Sequence, residues 1–404
     1  MLVLFIIVFI DLVGFGIIIP LLPFFGEHFS ASPAMVGLLM ASYSLTQFIA
    51  APFWGRVSDR IGRRPVLLIT LLGAAISYVL LGFSTSLLML FIARGLGGFM
   101  AGNISAAFAY VADITTPENR AKGMGIIGAA FGLGFIAGPA IGGILAGPDP
   151  LSADYLTPSL AAAGLSLGAF CLACLTLKES LSKEISKRLS EMPAKNRADQ
   201  FRTALAKPGL GILITILFLA TFVFAGMEAT FAMWSKRQMG WGPQQNGYLF
   251  AFVGIIVAII QGGLVGKLAN RFGEINLVVQ GAAALALGML LIPFTGSLAT
   301  LLGAMVIVAY GFSIMTPSLN SLISLQVGPD EQGGVIGVGR SAATLARVLG
   351  PTWAGSVFLL VGLDWPYFGG AAVMLLVIIL GLRGLKNIHT PQKENDFPEL
   401  SDSS

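Results

Sequence analysis

The sequence predicts an all-α membrane protein: twelve transmembrane helices in two pseudo-symmetric six-helix halves. Three observations predict it. Of 404 residues, 55% are hydrophobic and only 11% charged, where an ordinary soluble domain carries roughly 25% charged residues. The apolar residues fall into about twelve long runs, and about 20 residues of helix cross a ~30 Å hydrocarbon layer. Finally, the stretch Gly55-Arg56-Val57-Ser58-Asp59-Arg60-Ile61-Gly62 returns 211 residues later as Gly266-Lys267-Leu268-Ala269-Asn270-Arg271-Phe272-Gly273. A β-barrel would instead show short alternating segments, and 51 glycines suit closely packed membrane helices.

Taken in order, spans are expected at 2–23, 34–54, 65–83, 87–111, 122–146 and 158–177, then at 209–234, 244–266, 275–294, 298–325, 332–361 and 365–385. The start, Met1-Leu2-Val3-Leu4-Phe5, lacks a basic n-region and a small-residue cleavage site, so it reads as the first span, with a very short cytoplasmic leader or none. Residues 1–177 form the first half and 208–386 the second. Between them, 178–207 is a basic linker, with a surface-lying helix as one option, and 387–404 is a polar tail. The 55–65 stretch reads as a water-exposed turn, since its four arginines and aspartate must stay in water while glycines and a proline reverse the chain.

The repeat extends further. Residues 116–143 align without a gap on 328–355, an offset of 212, and share Pro117/Pro329, Gly125/Gly337, Leu133/Leu345, Gly138/Gly350 and Pro139/Pro351. Loops on the side of the 55–65 stretch, with the linker and tail, hold 19 Lys and Arg, against Lys236 and Arg237 opposite. This bias places both termini and the linker in the cytoplasm. Arg94, Arg340 and Arg347 remain inside spans.

Ionisable side chains within spans cost about 2.5–3.5 kcal/mol on insertion scales and are usually functional. Asp11 is roughly 15 Å into the first span at 1.5 Å per residue, a depth suited to a proton carrier or to a structural pair with Arg94. Glu228 lies in the outer half of span seven, where protonation, substrate contact or a structural pair are all open. Arg340 and Arg347 are two turns apart on one face of span eleven, and each needs a carboxylate, a carbonyl, water or an anionic substrate. Gln47, Asn103, Gln261 and Asn320 are candidates for hydrogen bonds in a substrate cavity, or for inter-helix pairing.

Metal, redox and enzyme chemistry find little support. His28 and His389 sit in a loop and in the tail, and Cys171 and Cys174 lie in an apolar run that denies them an accessible thiolate. Gly132-Leu133-Gly134-Phe135-Ile136-Ala137 superficially fits a dinucleotide fingerprint, but no soluble strand precedes it. No enzyme activity, metal, cofactor or nucleic-acid partner is expected; the expected partners are small molecules, protons and the bilayer, with a monomer as the functional unit.

At this point the chain resembles the major facilitator superfamily, and within it the drug:proton antiporters that include the tetracycline efflux proteins. The 55–65 stretch, with Gly55, Asp59, Arg60, Gly62, Arg63 and Arg64, is similar to the family's loop between helices two and three. Residues 11–23 are similar to its first-helix pattern, and residues 90–98, with Arg94, to its fourth-helix arginine motif. Gly134, Gly138, Pro139, Gly142 and Gly143 are similar to its antiporter motif in helix five. The resemblance implies two halves that bind substrate near the midplane and rock about it, protons carried by Asp11 or Glu228 with Arg94 sensing their charge, a charge latch at Asp59 closing the cytoplasmic side, and a place in the cell inner (plasma) membrane.

One departure concerns the substrate. Tetracycline carriers of this type place acids in helices three and nine and a histidine in helix eight, whereas 74–78 and 281–296 contain no acid and 247–266 no histidine. Glu228 and two arginines in span eleven suit a different charged substrate. The leading expectation is a proton-driven exporter of small amphipathic compounds. A carrier of organic anions, such as carboxylate metabolites or siderophores, is the same-fold alternative, and a non-transporting receptor or assembly factor is the alternative of another class.

Overall fold

A computed structural model describes residues 2–181, 202–203, 205–328 and 332–385. Most of the linker, including the optional surface helix, and the whole tail lie outside the described residues. The first half comprises α1 (Leu2–Ile18), α2 (Leu22–His28), α3 (Pro33–Ile61), α4 (Arg63–Gly82), α5 (Leu87–Met100), α6 (Ile104–Ile114), α7 (Pro117–Ala146) and α8 (Leu156–Thr176). The second half comprises α9 (Pro208–Met239), α10 (Pro243–Ile259), α11 (Val265–Phe272), α12 (Glu274–Leu291), α13 (Leu298–Leu325), α14 (Gln332–Leu360) and α15 (Trp365–Gly384). Among the described residues, eleven helical stretches are long and apolar enough to span a membrane, or twelve if the bent pair α1–α2 counts as one.

Two expectations about boundaries are corrected. The first span is not one straight helix: α2 is bent 41° from α1 around Pro20, which has no N–H to donate and crowds the preceding turn. The 55–65 stretch is not an extended turn either. Helix α3 runs through it to Ile61, and α4 begins at Arg63. The chain reverses at Gly62 alone, with φ 105°, a conformation that a Cβ would strain. Gly273, with φ 79°, joins α11 to α12 in the same way, so the repeat read in the sequence returns as the same one-residue hinge in both halves. The charges marked the water boundary, but the helix continues past it, with Arg56 and Arg60 exposed and Arg63 buried.

Each half carries its own apolar core. Phe231, Trp234, Met305 and Tyr367 anchor the second; two cores, around Leu4, Val66 and Ala169 and around Ile17, Leu39 and Leu90, fill the first. Within the first half, α7 lies on α1 almost backbone to backbone. A Cβ at Gly138 would sit 2.6 Å from Gly16 Cα, and one at Gly134 2.8 Å from Leu12 Cβ. A Cβ at Gly142 would run into the Ile17 carbonyl. Gly138→Val is therefore expected to cost about 1–3 kcal/mol or more through overpacking, read as lost monodisperse protein and a lower melting temperature in detergent.

Between the halves, α3 meets α14 and α7 meets α10. The end of the molecule that carries Gly62, Gly273 and the linker is here termed the inner side, and the other the outer side. Outer contacts are tight: a Cβ at Gly37 would strike the Pro351 carbonyl and one at Gly355 the Pro33 carbonyl, while Gly143 approaches Gly247 Cα at 3.0 Å by the same measure. Followed inward, the stripe of α7 that packs on α10 through Gly143, Pro139 and Ile136 continues as Gly132, Gly128 and Gly125, where an added Cβ would meet nothing within 4 Å. On α14, Gly337 is equally open. The halves touch at the outer side and diverge towards the inner side. Below the divergence, the Arg340 guanidinium still lies across the gap, 3.9 Å above the Phe108 ring.

Candidate functional site: a two-half central cavity

A small cleft, open to solvent in part, lies directly beneath the outer seal. Both halves build it. Phe15 comes from α1 and Ile19 from the break just after it, Met40, Tyr43 and Ser44 from α3, and Arg94 from α5. The second half supplies Ala225 and Glu228 from α9 with Arg347 and Pro351 from α14. Pro351 also closes the α3 contact at Gly37, which makes the cavity roof part of the seal.

Three of the ionisable residues singled out in the sequence thus converge. Arg94 is buried, at 6% exposure; its guanidinium lies 4.4 Å over the Tyr43 ring and its Nε has no hydrogen-bond partner. A planar cation stacked on a π face retains donors for another ligand. Glu228 and Arg347, both half-buried, line the same cavity, yet among the described residues neither forms an ion pair. Glu228 and Arg347 thus make no salt bridge, although the charge of the arginine acts on the Glu228 carboxylate, and no Asp11–Arg94 salt bridge forms among the described residues. Asp11 does not line the cavity. It is half-buried on α1, one turn inward of Phe15, and shares that residue's helix face.

The remaining candidates lie elsewhere. Gln47 Nε2 donates to the Ala101 carbonyl at 3.2 Å and Asn103 Nδ2 to Thr70 Oγ1 at 2.8 Å, so both amides tie helices together. Gln261 and Asn320 are exposed and do not line the cavity; Gln261 sits in a widened helical turn, residues Ile260–Leu264. Arg340 is exposed and reaches Phe108.

The arginine motif at the inner side is a network within the first half. Arg63, buried at 5%, pairs with Asp59 and, at 3.2 Å, with Asp113, and donates to Ser58 Oγ. The Glu179 carboxylate, from the first turn of the linker, accepts the Arg63 N–H at 2.9 Å and the Arg64 N–H at 3.1 Å. A negative group thereby meets the unsatisfied donors at the start of α4. Ser180 Oγ donates to Asp113 at 3.0 Å. The glycine motif divides its work: Gly134, Gly138 and Gly142 seat α7 on α1, while Pro139 and Gly143 face α10 of the other half.

Sequence reasoning missed Tyr43, Asp113, Glu179 and Glu27. Glu27 joins the halves at the outer side through Lys236 and Arg237. The signal available for it was its position opposite the two basic residues of the outer side.

A two-half helical bundle with a charged cavity under one closed end defines a membrane carrier. The Major Facilitator Superfamily model matches residues 4–351, and the chain belongs to that superfamily: it is a multi-pass membrane transporter and not an enzyme. It is similar to the tetracycline resistance protein, class C, of Escherichia coli, with 33% identity covering 93% of this chain and 94% of that protein. It is also similar to multidrug resistance protein 2 of Bacillus subtilis, at 31% identity over 98% of this chain and 96% of the other. Among solved structures, the human organic anion transporter MFSD10 (TETRAN) matches with TM-score 0.69 and 27% identity, over 94% of this chain and 98% of that one.

Proposed function

We propose that this protein is a proton-driven exporter of small amphipathic organic compounds, residing in the inner membrane with both termini cytoplasmic. Its halves, 1–177 and 208–386, would rock about the central cavity. The observation that carries this reading is the cavity itself: Arg94 and Glu228 face it from opposite halves, with Asp11 one turn inward of its Phe15 wall. The tetracycline and multidrug resistance relatives support the substrate class and the direction of flux. In the state with the inner side closed, the Asp59 network would bridge to the second half as a latch.

A second reading, transport of organic anions, is favoured by one observation. Arg94 and Arg347 line the cavity with no carboxylate paired to either among the described residues, leaving two permanent cations for an acidic substrate. The likeness to the human organic anion transporter points the same way.

Reconstitution in liposomes distinguishes these readings. The exporter is expected to move protons against the flux of an added compound, and a panel of cationic, neutral and anionic compounds reports which charge the cavity accepts. Transport with no accompanying pH change would overturn proton coupling. Movement of anionic compounds alone would favour the second reading.

A further inference from the structure

Among the described residues, the outer seal contains one ionic cluster between the halves, centred on Glu27, and it is carried on a separate lever. Glu27 lies in the last full turn of α2, the seven-residue helix that Pro20 sets at 41° to α1. Its Oε2 accepts the Lys236 Nζ at 2.8 Å, and its Oε1 lies 2.9 Å from Arg237 Nη2. Both cations belong to the last turn of α9, so the pair crosses from the first half to the second. Glu27 is well enclosed, its side chain 12% exposed, which strengthens the attraction beyond that of a fully solvated pair.

We propose that Glu27 is the external gate of the carrier, a positioning residue whose grip on Lys236 and Arg237 holds the outer side closed until the halves rock. This rests on the alternating-access reading above. Arg237 has further anchors within the second half: it lies 5.1 Å over the Phe358 ring and donates to the Met233 carbonyl at 3.0 Å. Lys236 also faces the Phe24 ring of α2, at 6.0 Å. When the outer ends part, Arg237 keeps its local partners and Glu27 loses both cations. The gate is wired to the substrate site, because Glu228 stands eight residues before Lys236 on the same helix, about 12 Å along its axis at 1.5 Å per residue. A tilt of α9 that rearranges the cavity therefore also pulls on the clamp. A purely structural salt bridge has no reason to join elements that every transport cycle must separate.

The test uses the full chain in liposomes, with Cys171 and Cys174 changed to Ser and a reporter introduced by Ala34→Cys, whose backbone lies in the outer seal against Gly355. A membrane-impermeant maleimide is supplied from the outer side. Glu27→Gln is expected to raise the labelling rate roughly tenfold, within the 5–150-fold range of ordinary conformational couplings. Glu27→Asp should stay near the parent, and Glu27→Lys combined with Lys236→Glu and Arg237→Glu should restore slow labelling. Lys236→Gln with Arg237→Gln opens the same gate from the other side and serves if Glu27→Gln does not fold. The gate assignment fails if neither neutral variant labels faster than the parent while the parent's own labelling still responds to a transported compound. If no compound alters labelling in the parent and none is transported, the alternating-access reading itself fails, and the proposal with it.

Discussion

Asp11→Asn is expected to abolish concentrative transport while leaving substrate binding within about tenfold of the parent, or ~1.4 kcal/mol. The amide keeps the size and hydrogen-bonding capacity of the carboxyl group but has no proton to take up or release. The structure sharpens this expectation in two ways. Asp11 pairs with no cation among the described residues, so the substitution leaves no arginine stripped of its partner and folding should be spared. It also lies outside the lining of the central cavity, so contact with bound substrate should survive. Equilibrative exchange across liposomes without a pH gradient should then persist in Asp11→Asn, and only uphill movement should vanish. Retained concentrative transport would transfer the coupling role to Glu228, the other unpaired acid near the cavity.

How much of this was legible in the sequence follows from the range over which each signal acts. Hydropathy and the internal repeat are properties of contiguous residues, and they placed the spans, the two-half plan and the matched charged stretches at 55–62 and 266–273. What they could not place was the end of a helix in water. Residues 55–61 are charged because they leave the membrane, not because they leave the helix. Polar residues inside spans were harder still, because an amide on a membrane helix looks the same whether it faces a cavity or a neighbouring helix. Gln47 and Asn103 turned out to face neighbours, whereas Arg94, Glu228 and Arg347 meet at one cavity. The Glu27 clamp joins residues 209 positions apart on different halves, so no local pattern announces it; it exists only once the halves are docked. Tyr43 was passed over for the opposite reason. One aromatic flanked by Ser42 and Ser44 carries no periodic signal, and its role emerges from the cation stacked on it.

Arg347 separates the two transport readings. The sequence left open whether it neutralises Glu228 or binds substrate. In this structure the two side chains line one cavity without an ion pair, which leaves the Arg347 fork available to a ligand. Arg347→Lys keeps the charge but loses the planar pair of donors. A charge-assisted hydrogen bond is worth about 1.5–3 kcal/mol, so anionic substrates should weaken roughly 10- to 100-fold, with neutral and cationic compounds of the same scaffold little changed. Arg347→Gln should then fold, because Arg347 holds no salt bridge to Glu228 among the described residues, and the further change Glu228→Gln should restore little. If the pair were structural in another state of the cycle, Arg347→Gln alone would lower expression and the double variant would recover it. The arginine's place in the repeat favours the ligand role. The equivalent position in the first half is Phe135, which packs edge-on against Phe15 at 5.9 Å, so the two halves offer the cavity an aromatic wall on one side and a permanent cation on the other. A compound with a ring and an acidic group would meet both, whereas equal losses for all charge classes, rescued by the double variant, would show that Arg347 serves the protein's own carboxylate.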